Sequence, residues 1–267
     1  MSTGGSTDQI VSEYAAWLQS WTSSKKTIDA RRGLAAGRLK AWGVEGMTPA
    51  NIQQWLGRPE LKRWSRATYY ANLKDFCAWL VASGYLDADP MEEVRKPGRP
   101  SSLPRPLSEV DVDRVLAVAT GRTRDWITIA LLSGLRVHEI AKLRGEDVTQ
   151  DAIFVEGKGG VRAMLPTHPD IWEMAGRYPR EGYWFLGRDG HISAPTITIQ
   201  VSELFSSLGI SGSIHRCRHT YGTRLLRGGT HIRIVQQLMR HASLATTAAY
   251  TAVDEDEMRA AISRLSA

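Results

Sequence analysis

Apolar residues recur at helical spacing along the first ninety positions. Between residues 8 and 22 they stand three or four apart, as on one face of a helix, and three similar patterns follow. Thr48 and Pro49 have the residue types of a helix cap and first turn, Ser65 and Thr68 open the fourth pattern, and Gly84 ends it. Residues 8–92 are therefore predicted to form a helical domain, after a flexible N-terminus at 1–7.

A proline-rich segment follows this domain. Five prolines stand between positions 90 and 106, interleaved with four basic residues. Proline at this density stops regular structure and gives a semi-rigid, extended connector. We predict a basic linker at 93–106, which is typical of a protein that wraps around a polyanion or, equally, of an ordinary hinge.

The second domain, at 107–253, combines helices with one β-hairpin. Ser108 caps its first helix, Gly134 interrupts a later one, and further helices cover 196–208, the stretch from 215, and 232–240. Two short alternating runs, 152–155 and 161–165, flank a glycine-rich turn and predict the hairpin. The fold class is mainly α with a small β element, and an amphipathic helix at 254–267 needs a partner surface, its own domain or a neighbouring subunit.

The composition of the chain indicates its compartment and the charge of its partner. The 267 residues are 42% hydrophobic, enough for a real core, and the net charge of +6 favours a polyanionic partner weakly. Two cysteines make no disulfide framework. There is no signal-peptide core and no apolar run of the roughly 18–20 residues that cross a bilayer. We expect a soluble cytoplasmic protein without a membrane partner.

A cluster of chemically active residues lies near the C-terminal end. It contains His215, Arg218, His219, His241 and Tyr250. A phenol with a pKa of about 10 is a poor nucleophile at neutral pH, and surrounding it with cations and bases is useful when it attacks an anion. The cluster therefore predicts that Tyr250 attacks a phosphodiester. A metal site at the two histidines four residues apart lacks further ligands at suitable spacing.

Two other positions fit an anionic substrate. Arg136 falls at a helix N-terminus just after a glycine, where backbone N–H groups favour an anion, and Glu139 one turn along is placed to orient it. Lys158 lies at the tip of the predicted hairpin. It is either an ordinary exposed lysine or one that the hairpin delivers into a groove.

Basic residues outside this cluster are candidate DNA contacts, although solvated surface explains any single one as well. Those of the helical domain are Lys25, Lys26, Lys62, Arg63 and Arg66. Those of the linker are Arg95, Lys96, Arg99 and Arg105. Those of the second domain are Arg162 and Arg240.

Four segments resemble the tyrosine recombinase, or phage integrase, family. They are residues 134–143 (GLRVHEIAKL), 157–162 (GKGGVR), 215–220 (HRCRHT) and 238–250 (LMRHASLATTAAY), and their order matches the family across 107–267. The resemblance implies a two-domain, C-shaped DNA clamp, in which a helical core-binding domain and a mixed α/β catalytic domain close around the duplex. No arm-binding domain precedes them, so a simple form of the family is expected.

The resemblance also implies an active site of Arg136, Lys158, His215, Arg218, His241 and Tyr250, with Glu139 and His219 in support. In this site Tyr250 would form a 3′-phosphotyrosine, and the arginines and His241 would contact the non-bridging oxygens. Lys158 would protonate the leaving 5′ oxygen, and His215 would accept the tyrosine proton or hold it in a hydrogen-bond network. The intermediate conserves the bond energy, so neither a metal nor ATP is needed. Two departures from the family are Arg240, where glycine is usual, and Cys217, where an apolar residue is common.

The expected partners are double-stranded DNA with short inverted core sites, and three further copies of the chain in a tetramer that assembles on DNA from monomers. An accessory DNA-bending or directionality protein is a further possibility, and the bound protein would be nucleoid-associated in a bacterial host. Phage integration is the leading hypothesis. The alternatives are a chromosome or plasmid dimer resolvase, a type IB topoisomerase, and a non-catalytic DNA-binding regulator.

Overall fold

A computed structural model describes residues 5–98, 105–156, 162–188 and 190–240. The chain divides into two compact units, Met1–Ser101 and Ser102–Ala267, each with its own hydrophobic core. Within the described residues the secondary structure is mainly helical with two small sheets. The predicted fold class, mainly α with a small β element, is thus confirmed.

The first unit is built from four α-helices. They are α1 (Thr7–Trp21), α2 (Lys25–Trp42), α3 (Pro49–Leu56) and α4 (Arg63–Ala82), followed by a short 3-10 helix at Pro90–Glu92. The hydroxyls of Ser6, Ser24 and Thr48 accept backbone N–H groups at the first three helix starts, so these starts are fixed locally. The core contains Tyr14, which packs against the rings of Phe76 and Trp79.

The start of α4 differs from its prediction. The helix begins at Arg63, two residues before Ser65, and Lys62 provides no side-chain cap. Packing of its apolar face, which includes the fully buried Leu73 and Leu80, fixes the helix instead. Lys62 and Arg63 therefore lie at the exposed N-terminus of α4.

Seven α-helices of the second unit lie within the described residues. They are α5 (Glu109–Val118), α6 (Gly121–Ser133), α7 (Val137–Ala141), α8 (Pro169–Ala175), α9 (Ala194–Ser207), α10 (His215–Arg227) and α11 (Ile232–Met239), with a 3-10 helix at Gly145–Asp147. Ser108 caps α5, as predicted, by accepting the Asp111 N–H at 3.1 Å. Helix α6 is buried against α10, and Trp126 and Ile127 are almost inaccessible.

The predicted hairpin is present. Strands β1 (Ala152–Glu156) and β2 (Arg162–Pro166) pair antiparallel, from Ala152 opposite Pro166 to Glu156 opposite Arg162. A second, minimal pair joins β3 (Leu186–Gly187) to β4 (Gly190–His191). The hairpin tip at 157–161 and the predicted helix at 254–267 lie outside the described residues. No described helix combines the length and apolarity that crossing a membrane requires.

Candidate active site

The turn between α6 and α7 positions Arg136. Gly134 ends α6 in the left-handed conformation, with φ 62° and ψ 21°, and Arg136 occupies the N-cap of α7. The carboxylate of Glu139 accepts the backbone N–H of Arg136 at 2.6 Å and its Nη1 at 3.1 Å. Because the Glu139 side chain is only 2% exposed, this carboxylate holds both the backbone and the guanidinium of Arg136 in place.

Helix α10 carries three of the predicted residues in its first turns. Arg218 and His219 follow His215 by three and four positions, a spacing that puts each of them on the same helix face as His215. Arg218 is 6% exposed, and its guanidinium donates to the carbonyls of Gly134 and Met239. Arg218 therefore connects α10 to the Arg136 turn and to the end of α11.

The C-terminus of α11 brings the two arginines together. Its last carbonyl, that of Met239, accepts from Arg218, and the next carbonyl, that of Arg240, accepts Nη2 of Arg136 at 3.2 Å. The end of a helix carries partial negative charge, which offsets part of the repulsion between two guanidinium groups. Arg136 and Arg218, 82 positions apart in sequence, consequently bond to neighbouring carbonyls.

Both histidines of α10 have lowered pKa values, which favours their neutral form. His215 is exposed, yet partial desolvation lowers its pKa below the ordinary value, and Arg218 and Arg136 act in the same direction. Burial also lowers the pKa of His219 to about 4, again with help from neighbouring positive charge. A neutral imidazole at His215 is able to accept a proton or a hydrogen bond from a phenol.

Three of the predicted catalytic residues are not among those that the structure describes. These are Lys158, His241 and Tyr250. In the sequence, Lys158 lies between the residues of β1 and those of β2, and His241 follows Arg240. Their assignment stays a prediction.

The basic residues predicted to contact DNA have different surroundings. Eight of them are exposed: Lys25, Lys26, Lys62, Arg63, Arg95, Lys96, Arg105 and Arg162. Arg162 pairs with Asp147 at 2.6 Å, and Arg66 donates to the carbonyls of Arg58 and Leu61 at 3.2 and 3.4 Å. Arg240 bonds Glu139 at 2.5 Å. Arg99 is outside the described residues.

Sequence reasoning missed two residues beside the site. The ring of Tyr221 packs so closely on Gly134 that a Cβ there would stand 2.4 Å from its Cδ1. Tyr221 follows Arg218 by three positions, so helical spacing was the available signal. His138, on α7, adds to the lowering of the pKa of His215. Its place beside Arg136 and Glu139 in the sequence was the corresponding signal.

Cys217, one of the two departures, behaves as a core residue. It is fully buried among the apolar residues of the second unit, and burial raises the pKa of its thiol to about 12. A protonated cysteine is a small hydrophobe, which suits a position where an apolar residue is common.

Among the described residues, no group of three or more His, Cys, Asp or Glu side chains is arranged to hold a metal ion.

Comparison with known proteins supports the same interpretation. Residues 106–257 match the model of the phage integrase family. The tyrosine recombinase XerC of Erythrobacter litoralis is 32% identical over an alignment that covers 85% of both chains. The structure of an integrase from mycobacterium phage Brujita is 37% identical, with a TM-score of 0.52 and coverage of 96% of this chain and 92% of that one.

A second solved structure shows the shared fold alone. The XerH site-specific recombinase, in a post-cleavage complex bound to a palindromic difH substrate, has a TM-score of 0.75 at 17% identity, and the match covers 97% of this chain and 84% of that one. The family match spans more than half of the chain, including the segments that carry Arg136, His215 and Arg218. The chain therefore belongs to the phage integrase family of tyrosine recombinases, site-specific enzymes that cleave and rejoin DNA strands.

Proposed function

We propose that Tyr250 is the nucleophile of this enzyme and that Arg136, Lys158, His215, Arg218 and His241 complete its active site. The observation that carries this proposal is the convergence of Arg136, at the start of α7, and Arg218, on α10, at the end of α11. His215, on the same helix as Arg218, is close enough to both arginines for their charges to lower its pKa. Two guanidinium groups with planar donor sets suit the oxygens of a scissile phosphate, where negative charge builds in the transition state. His241 and Tyr250 follow this point in the sequence, within eleven positions of it.

The reaction then proceeds in two balanced steps. The phenolic oxygen of Tyr250 attacks phosphorus, its proton passes to His215, and the bond to the 5′ oxygen breaks as Lys158 protonates that oxygen. The products are a 3′-phosphotyrosine and a free 5′ hydroxyl. The 5′ hydroxyl of a second strand attacks the phosphotyrosine and reverses the step, so the energy of the phosphodiester is kept.

The substrate of this reaction is double-stranded DNA with short inverted core sites. The recombinase XerH was solved with a palindromic site, and the exposed basic residues of both units here provide cations for phosphate contacts. Monomers would assemble on DNA into a tetramer, in which the segment 254–267 of each protomer docks on a neighbour. Such a tetramer would allow reciprocal exchange of strands. The reaction would take place in the cytoplasm, where such DNA lies.

Integration of phage DNA is the role that we propose first, and similarity to a phage integrase supports it. The Brujita integrase is more similar in sequence, at 37% identity, than the XerC relative at 32%. Dimer resolution uses the same chemistry and remains the second candidate because Xer proteins are also relatives. The roles differ in their DNA: an integrase joins two different sites, whereas a resolvase recombines two copies of one site.

One experiment tests the substrate and the role together. DNA that becomes covalently attached to the protein in a bacterial host is recovered and sequenced, and the recovered sites are placed on two marked duplexes. We expect the protein to join the two duplexes reciprocally without added metal or ATP. Relaxation of supercoiled DNA without any joining would instead indicate a topoisomerase, and exchange confined to two copies of one site would indicate a resolvase.

A further inference from the structure

Arg240 has an unfavourable backbone conformation. Its φ of 51° and ψ of 47° lie in the left-handed region, and it is the one non-glycine residue with a positive φ among the described residues. Glycine adopts this conformation freely, whereas a side chain with a Cβ does so at an energetic cost. An arginine here therefore needs an interaction that offsets the cost.

The Arg240 side chain provides that interaction. Its Nη2 lies 2.5 Å from Oε2 of Glu139, and the two side chains are only 12% and 2% exposed. The same Glu139 oxygen accepts the backbone N–H of Arg136, and the other oxygen accepts Nη1 of Arg136. One buried carboxylate thus binds two guanidinium groups, one of which belongs to the active site.

Arg240 also contacts Arg136 directly. Its backbone carbonyl accepts Nη2 of Arg136 at 3.2 Å. The main chain of Arg240 thus binds the Arg136 guanidinium directly, and its side chain acts on that guanidinium through Glu139. The left-handed turn at Arg240 directs its carbonyl to Arg136 and its side chain to Glu139, which itself binds Arg136. Burial lowers the pKa of Arg240, and Glu139 opposes that shift, as expected of a desolvated ion pair.

We propose that Arg240 is a positioning residue for Arg136. Its guanidinium completes a buried Arg136–Glu139–Arg240 triad, and its carbonyl fixes the rotation of the Arg136 fork that meets the phosphate. The inference rests on the proposed function, since it assigns Arg136 to the scissile phosphate. It differs from the prediction that Arg240 itself contacts DNA, because the side chain is turned toward Glu139 rather than toward solvent.

Single-turnover cleavage distinguishes the two roles. The substrate is a nicked duplex that carries the site recovered from covalent complexes, and both the binding constant and the rate of adduct formation at saturating protein are measured. For Arg240→Ala we expect a rate about tenfold lower with nearly unchanged affinity. Arg233→Ala, at an exposed arginine of the same helix, removes one positive charge as a matched control and should leave the rate unchanged.

Two further variants test the mechanism. Arg240→Gly should melt at a higher temperature than Arg240→Ala, because glycine accepts the positive φ, yet cleave as slowly, because the guanidinium is gone. In an Arg136→Ala background, Arg240→Ala should have almost no further effect on the rate, since Arg240 acts through Arg136. A merely structural arginine would slow both backgrounds equally.

Three outcomes would overturn the inference. The first is weaker DNA binding by Arg240→Ala with an unchanged cleavage rate at saturating protein, which would indicate a phosphate contact. The second is an unchanged rate together with an unchanged affinity. The third is an equal loss of cleavage rate in the presence and in the absence of Arg136. Absence of an adduct with the unaltered protein overturns the proposed function, and the inference falls with it. Adduct formation by the unaltered protein separates that case from the other three.

Discussion

Substitution of Gly134 by alanine tests whether the α6–α7 turn holds the two arginines together. Gly134 has a φ of 62°, and its carbonyl accepts a hydrogen bond from Arg218. A Cβ at this position would lie 2.4, 2.7 and 3.3 Å from Cδ1, Cε1 and Cγ of Tyr221. The new methyl group can be accommodated only if the turn or the Tyr221 ring moves.

The magnitude follows from two additive terms. A left-handed alanine costs about 1–2 kcal/mol relative to glycine, and forcing a methyl group into a packed contact costs about 1–3 kcal/mol more. Gly209→Ala is the matched control, because Gly209 also has a positive φ, at 72°, but a methyl group there would meet no other atom within 4 Å. The control should show the backbone term alone.

Thermal unfolding and single-turnover cleavage measure the two consequences. The melting temperature of Gly134→Ala should be roughly 2–10 °C lower than that of Gly209→Ala, a difference that corresponds to the steric term. It should also cleave more slowly, because displacement of the Gly134 carbonyl moves Arg218, whereas Gly209→Ala should cleave normally. Equal stability of the two variants, with normal cleavage by both, would refute the assigned geometry of the turn.

Two other predictions concern Lys158 as the general acid and the pKa of His219. Lys158→Ala should bind DNA nearly normally and cleave slowly, and a substrate with a bridging 5′ thiolate should restore its rate; a variant that this better leaving group does not rescue argues against Lys158 as the acid. His219, with a pKa of about 4 when folded and an ordinary value of 6.5, takes up its proton more readily in the unfolded chain. The contribution of His219 to the free energy of unfolding should therefore be fully present above pH 6.5 and fall by on the order of 2–3 kcal/mol toward pH 4. Denaturant titrations across this pH range should show a smaller fall for His219→Asn than for the unaltered protein. An equal fall in both proteins would exclude His219 as its source.

The sequence predicts those features of the fold that local interactions determine. Thr48 and Ser108 cap helices through their own hydroxyls, and the hairpin follows from alternation around a glycine-rich turn. Helix α4 starts two residues before its predicted start because packing, rather than a capping side chain, fixes it. The pairing of Arg136 with Glu139 is predictable because the two are three positions apart on one short element.

The rest of the site depends on long-range contacts. The bond from Arg218 to the Met239 carbonyl spans 21 positions, and that from Arg240 to Glu139 spans 101. In the sequence, Arg240 is one more basic residue, which is why it falls among the predicted DNA contacts. Its positive φ and its buried carboxylate partner become visible only once α7 and α11 are packed together.

The central claim is that Tyr250 attacks a scissile phosphate that Arg136 and Arg218 bind. Its most direct test is the covalent complex between the protein and a nicked duplex carrying its own site, resolved after denaturation and mapped by digestion to the attached residue. The account predicts that the unaltered protein forms a complex attached at Tyr250, while Tyr250→Phe binds the duplex with similar affinity and forms none. An undiminished complex with Tyr250→Phe, or attachment through another residue, would contradict it.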